Sequence, residues 1–323
     1  MDDNVITVEE FANDLARKIE QELFENYGVS AKVISHPEIK TNVKKQGITV
    51  HFDGSNIAPT VYADEAYKAF CDGNATISEI VEKMSESAFN GRKQAPELPN
   101  LTTEEAKKHI TLTLVNTELN QELLDKTPHM EILGGELSAI PRWYISEEAS
   151  FVVSNDMASN MGLTPDEVIQ IGQQHINAQQ FEAKSMQEIL KEMMGGGFMD
   201  MMTPMETPPM IILTSKNRIQ GSNALLSEEA LDHVHDMIGD YVVLPSSIHE
   251  VICVPVSDEM KPEEMRSMVH EVNMGQVAPE ERLSDQIFKY DRQRLSLVRD
   301  SLKMETPKIE APRMETPSMK FAM

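Results

Sequence analysis

The chain has 323 residues, and its 29 Lys and Arg stand against 53 Asp and Glu for a formal charge of −24. That balance argues against binding nucleic acid through its phosphates, which takes clustered Lys and Arg. No run approaches the roughly 18 apolar residues of a membrane helix. The opening MDDNVITVEE lacks the features of a signal peptide, and two distant cysteines make no disulfide framework, so a cytoplasmic protein with no membrane contact is expected.

Thr7 and Glu10 form a Ser/Thr-x-x-Glu capping box at the start of a helix. Phe11, Leu15, Ile19 and Leu23 recur every four residues along it, and Tyr27-Gly28 closes it. Residues 29–34 and 48–52 read as strands, with Lys45-Gln46-Gly47 as the turn between them. After Pro59 come a short helix carrying Ala63, Tyr67 and Phe70 and ending at Gly73, then a second over about 78–89. Together these make an N-terminal α+β domain over 1–92, followed by a proline-containing linker over 93–101.

A larger mixed domain is expected over 102–302. Strands are predicted over 110–115, 136–145, 149–153 and 210–214, with a short helix over 120–125. Thr164-Pro165-Asp166-Glu167 is a second capping box, starting a helix that runs to about 180. Ser227 opens another helix, with Ala230, Leu231, Val234 and Ile238 inward and Gly239 as its stop. Strands 241–244 and 248–254 flank Pro245-Ser246-Ser247 as an antiparallel hairpin, and a helix follows over 262–273. Strands and helices do not alternate strictly, so the class is α+β. A Met/Gly/Pro-rich insertion over 193–210 and a tail over 303–323 share the tetrapeptide Met-Glu-Thr-Pro. Pro307, Pro312 and Pro317 bar helix from the tail, which is expected to be disordered and dispensable for folding.

The densest reactive cluster is Ser246-Ser247-Ile248-His249-Glu250. Ser247 and His249 share one face of an extended strand, as a nucleophile and base would, while Glu250 points away. A catalytic relay would therefore recruit a remote acid, Asp285 or Asp291. No Gly-x-Ser-x-Gly elbow supports it, and hydroxyls bonded to the turn backbone are the competing reading. His233 and His235 splay to either side of Val234, and His249-Glu250 lacks the second His of a zincin helix, so no metal site is expected. His175 falls on an apolar helix face as a half-buried, hydrogen-bonded histidine. Cys71 and Cys253 read as buried, inert thiols. No glycine cluster ends in Gly-Lys-Ser/Thr, and no cofactor is expected.

The stretch Leu244-Pro-Ser-Ser-Ile-His-Glu-Val251 continues with Met268-Val-His-Glu-Val-Asn273, Gln276-Val-Ala-Pro-Glu-Glu281, Leu283-Ser-Asp285 and Tyr290-Asp-Arg292. Weaker blocks lie upstream at Pro59-Thr-Val-Tyr62 and Leu114-Val-Asn-Thr-Glu-Leu-Asn120. This pattern resembles a bacterial domain-of-unknown-function family, number 5688, common in gut anaerobes and often in mobile-element neighbourhoods. The resemblance implies an architecture and no activity. It marks Pro245, Ser246, Ser247, His249, Glu250, Asn273, Gln276, Glu280, Asp285, Tyr290, Asp291 and Arg292 as signature positions and candidates for interaction.

The leading expectation is a non-enzymatic protein that works through an unidentified protein partner. A hydrolase-like enzyme using Ser247, His249 and Asp285 is the alternative. An acidic mimic that occupies a nucleic-acid-binding protein is the third. The hairpin over 244–251 and the segment 273–292 are expected to pack as one unit, with the 248–254 strand covered on both faces.

Overall fold

A computed structural model of the chain describes residues 6–55, 58–94, 99–146, 149–194 and 209–299. The predicted tail and residues 195–208 of the insertion lie outside the described residues.

The N-terminal unit is α/β. Helix α1 (Val8–Tyr27) carries both halves of the predicted capping box and ends at Gly28, which adopts the left-handed φ of 64°. Strands β1 (Ala31–Lys40), β2 (Val43–Phe52) and β3 (Thr60–Tyr62) form an antiparallel sheet, followed by α2 (Ala63–Cys71) and α3 (Ile77–Gln94). Phe11, Leu15, Ile19 and Leu23 of α1 pack on Ile48, Val50 and Phe52, with Ile80 and Met84 closing the core.

The β1–β2 turn corrects the sequence reading. It is made by Thr41-Asn42, where Asn42 takes a φ of 63°, and not by residues 45–47. Asn tolerates that conformation better than most residues. Gly47 lies inside β2, where a Cβ would stand 3.1 Å from Cγ2 of Thr60. Close packing therefore explains this glycine, and the strands run on past it. The open edge of β1 is partly closed: Glu20 accepts the Val33 N–H at 3.0 Å, and Pro37, in the same outward phase, has no N–H to offer.

The remaining elements make a larger mixed region with two antiparallel sheets. The first sheet contains β4 (Ile110–Asn116), β5 (Met130–Ile132), β6 (Leu137–Tyr144) and β7 (Ser150–Val152), with β6 paired to all three others. Around it lie α4 (Thr103–His109), α5 (Gln121–Leu124), α6 (Asn155–Asn160) and α7 (Pro165–Ala178). The second sheet comprises β8 (Phe181–Ser185), β9 (Ile211–Ser215), β10 (Tyr241–Leu244), β11 (Glu250–Pro255), β12 (Phe288–Tyr290) and β13 (Leu295–Leu297), in the order β13-β12-β10-β11-β9-β8. Helix α8 (Met186–Met194) follows β8, while α9 (Glu228–Ile238) and α10 (Pro262–Gly275) take opposite faces of the sheet.

Alternation along β11 decides those faces. Val251 and Cys253 join a core with Leu112, Leu114 and Leu231, while Ile252 and Val254 face Met265 and Val269 of α10. The two-layer covering expected for this strand is what the fold contains. The sequence reading missed α4, α6 and α8 and the short strands β3, β5, β8, β12 and β13. Cys71 is a correction: it is the last residue of α2 and is exposed, because the chain turns away at Asp72-Gly73 before anything can cover it. Cys253 is buried, and burial pushes its thiol pKa far up.

Candidate functional site

The strand β11 begins at Glu250, two residues later than expected, so Ser247 and His249 belong to a loop. That loop runs antiparallel to residues 281–284. Ile248 N–H donates to Glu281 O at 2.9 Å, Leu283 N–H to Ser246 O at 3.2 Å, and Ser284 N–H to Pro245 O at 3.1 Å. The buried Pro245 has no N–H to place here, and its carbonyl is satisfied by that last bond. Behind the loop, Thr214 donates its hydroxyl to the His249 carbonyl at 2.8 Å, and Ser222 N–H donates to Ile248 O at 3.1 Å.

These contacts test the hydrolase constellation directly. Ser247 Oγ accepts the backbone N–H of His249 at 3.0 Å, which is a turn-closing bond. The His249 imidazole lies 3.4 Å from Glu281 through Nε2, and its Nδ1 is buried with no partner among the described residues. Asp285 is not its acid. One Asp285 oxygen lies 2.7 Å from His270 Nδ1, and the other accepts the Asn273 amide at 2.5 Å. Sequence separation misled the assignment: His270 sits on α10, which lies against the 284–285 backbone, whereas His249 faces residue 281.

Asn273 is the centre of this second group. It is 1% exposed and also donates to Ser284 O at 3.2 Å. Ser284 in turn donates its hydroxyl to Glu136 at 2.5 Å and accepts the Gln286 N–H at 2.9 Å. The α10 helix is thereby joined to the loop and to the first sheet.

The remaining signature residues are dispersed. Tyr290 donates its hydroxyl to Asp232 at 2.8 Å, and burial with this carboxylate raises the phenol pKa. Asp291 accepts the N–H groups of Gln293 and Arg294, turning the chain from β12 into β13. Arg292 ion-pairs with Asp236 and Asp232. Asp291 is therefore not the remote acid of a Ser247–His249 relay, and neither it nor Arg292 pairs with His249 among the described residues. Glu250 is exposed, and Gln276 caps α10 through its own N–H, on Val272 O at 2.8 Å. His175 makes the expected bond, to Ile110 O at 2.5 Å. Among the described residues, no group of three or more His, Cys, Asp or Glu side chains gathers to hold a metal ion.

Glu280 reaches in another direction, to the N-terminal unit. It ion-pairs with Lys45, and that hydrogen bond lowers the carboxyl pKa and raises that of the ammonium. Asn42, at the tip of the β1–β2 hairpin, donates to Pro279 O at 2.9 Å and to Arg282 O at 2.6 Å. Its N–H and carboxamide oxygen meet Asn120 at 2.8 and 2.7 Å, and Lys44 pairs with Glu122. Sequence reasoning missed Asn42, Lys45, Asn120, Glu136, His270 and Glu281. Asn120, His270 and Glu281 lie within the signature blocks without having been singled out, and Asn42 is a turn-forming residue between two extended runs.

Fold and site together define an α+β protein whose signature segment is a clamp, tying α10, the 245–249 loop, the first sheet and the N-terminal hairpin to one another. The chain matches a bacterial family of unknown function (DUF5688) over residues 8–292, and it belongs to that family. Comparison with curated proteins and with solved structures finds no match. The matched range includes both the hairpin tip and the segment it touches.

Proposed function

We propose that this is a non-enzymatic cytoplasmic protein that acts by contact with another protein. One observation carries the reading: Ser247, His249 and Asp285 each have a different partner, in Ser247 Oγ with the His249 backbone, His249 with Glu281, and Asp285 with His270 and Asn273. A nucleophile must hydrogen-bond its base, and the base its orienting acid, for acyl transfer to proceed. Here the same groups hold loops in register. The acidic-mimic reading is weakened by Arg292 and Lys289, which interrupt the carboxylates of Asp232, Asp236 and Asp240.

The test is crosslinking of the tagged full chain in its native host, with photo-reactive residues spread over its surface. One protein captured reproducibly is the expected result. An ester or amide hydrolysis that vanishes in Ser247→Ala, at unchanged stability, overturns the reading.

A further inference from the structure

Strand β8 is an edge of the six-stranded sheet, and its pairing fixes which backbone groups face outward. Lys216 N–H donates to Gln180 O and Met186 N–H to Met210 O, so the even-numbered residues of this stretch turn to β9. Residues 181, 183 and 185 turn away from it. Glu188 takes the Ser185 N–H at 2.8 Å. The N–H and C=O groups of Phe181 and Ala183 have no partner among the described residues. The β1 edge has Glu20 and Pro37 against strand addition, whereas on β8 Glu188 occupies only the Ser185 N–H and leaves Phe181 and Ala183 open.

Beside that edge lies a cleft of about 480 Å³ between β8 and α9. Phe181, Ala183, Leu213 and Ala230 line its apolar part, and Glu229 and His233 stand on the helix side. A second hollow adjoins it, sharing Glu229 and His233 and adding Glu228, Asp232 and Asp236. Arg292 pairs with the two aspartates, but Glu228 and Glu229 have no ion pair among the described residues. The one ammonium in the cleft, Lys216, is hydrogen-bonded by the Gln180 side chain.

We propose that this groove takes an extended basic segment of the partner protein, added to β8 as a further strand. The proposal rests on the partner-binding reading above and names the chemistry of the partner. In an added strand alternate side chains face α9. One apolar side chain enters the cleft, and Lys or Arg on either side of it meets Glu228 and Glu229. Main-chain hydrogen bonds supply affinity, while the carboxylates select the charge.

The probe is a fluorescein-labelled Lys-Thr-Val-Thr-Lys peptide, capped at both ends, titrated against the full chain by fluorescence anisotropy. Binding should weaken about tenfold or more in the Glu228→Gln/Glu229→Gln variant and in about 0.5 M salt. The Glu-Thr-Val-Thr-Glu counterpart should not bind. N-methylation of alternate peptide residues should abolish binding in one phase and spare it in the other, because only one set of N–H groups faces β8. Failure of the Lys peptide to bind, or equal binding of both N-methyl phases, overturns the groove. Photo-crosslinkers at Ala183 and at the distant, exposed Phe24 separate the two claims. A partner captured only away from Ala183 sinks the groove and leaves the partner reading standing; no partner from any position sinks both.

Discussion

Asn273 shows how a signature residue can be indispensable without taking part in chemistry. Its amide holds Ser284 O and Asp285 together in a site that is 1% exposed. Removing it leaves a buried carbonyl without its donor and Asp285 with a single partner, His270. Loss of a buried hydrogen-bonded group costs about 1–3 kcal/mol, so Asn273→Ala should lower the unfolding free energy by that amount in urea titration. His249→Ala should cost less, about 1 kcal/mol or under, because its Glu281 pair is long and partly solvated. If His249→Ala proved the more damaging, the clamp would be centred on the wrong residue. The cysteines offer a second check at this scale. Exposed Cys71 should react with a thiol reagent in the native protein, while Cys253, buried and with its thiol pKa raised by burial, should react only on unfolding. Rapid modification of two thiols under native conditions would contradict the packing of β11.

At the level of elements, the 3-10 segment Gly221–Leu226 passes directly behind the 245–249 loop. A Cβ at Gly221 would collide with His249 O and with Thr214 Oγ1 and Cα, two of which are backbone atoms that cannot swing aside. Gly221→Ala should therefore cost about 1–3 kcal/mol by overpacking. It should also displace the loop, seen as shifted amide resonances for residues 246–249. Unchanged spectra would mean that the segment yields instead. Elements specified by adjacent residues were legible in the sequence. The Thr7–Glu10 and Thr164–Glu167 boxes, the Gly28 stop and the alternation of Val251 and Cys253 each depend on neighbours within five positions. Elements specified by distant partners were not. Phe-Glu-Ala-Lys-Ser alternates over only four residues, three of its five residues (Glu, Ala, Lys) are depleted in strands, and it is held as β8 by the ladder that β9 offers; β12 and β13 are three residues each. The candidate site failed in the same way: the acid beside His270 is fixed by the packing of α10 on the 284–285 backbone, and no spacing rule reports that.

On the scale of the whole molecule, the family signature joins the two halves of the chain. The β1–β2 tip meets Pro279, Glu280 and Arg282, so residues near position 42 and position 280 stabilise one another across the sequence. The Lys45–Glu280 pair makes this contact sensitive to acid. Hydrogen bonding to Lys45 lowers the folded pKa of Glu280 below its usual 4.5. The stabilisation is therefore complete above the unfolded value and is lost as the pH falls through the folded one. Other carboxylates shift in the same direction, among them Glu10, Glu79, Glu167 and Glu188, which accept capping bonds. Total stability should therefore fall in acid for several reasons at once, and only a difference between two proteins isolates the docking contact. Lys45→Met retains every capping carboxylate and removes the partner of Glu280. At about pH 7 it should be less stable than the unmodified chain by about 0.2–1 kcal/mol, the range for a partly exposed ion pair. That gap should close as the pH falls through the lowered folded pKa of Glu280 and its carboxylate is neutralised. A gap that persists unchanged into acid would show that the Lys45 ammonium contributes mainly over the Tyr62 ring, 5.6 Å from its centroid, and not through Glu280.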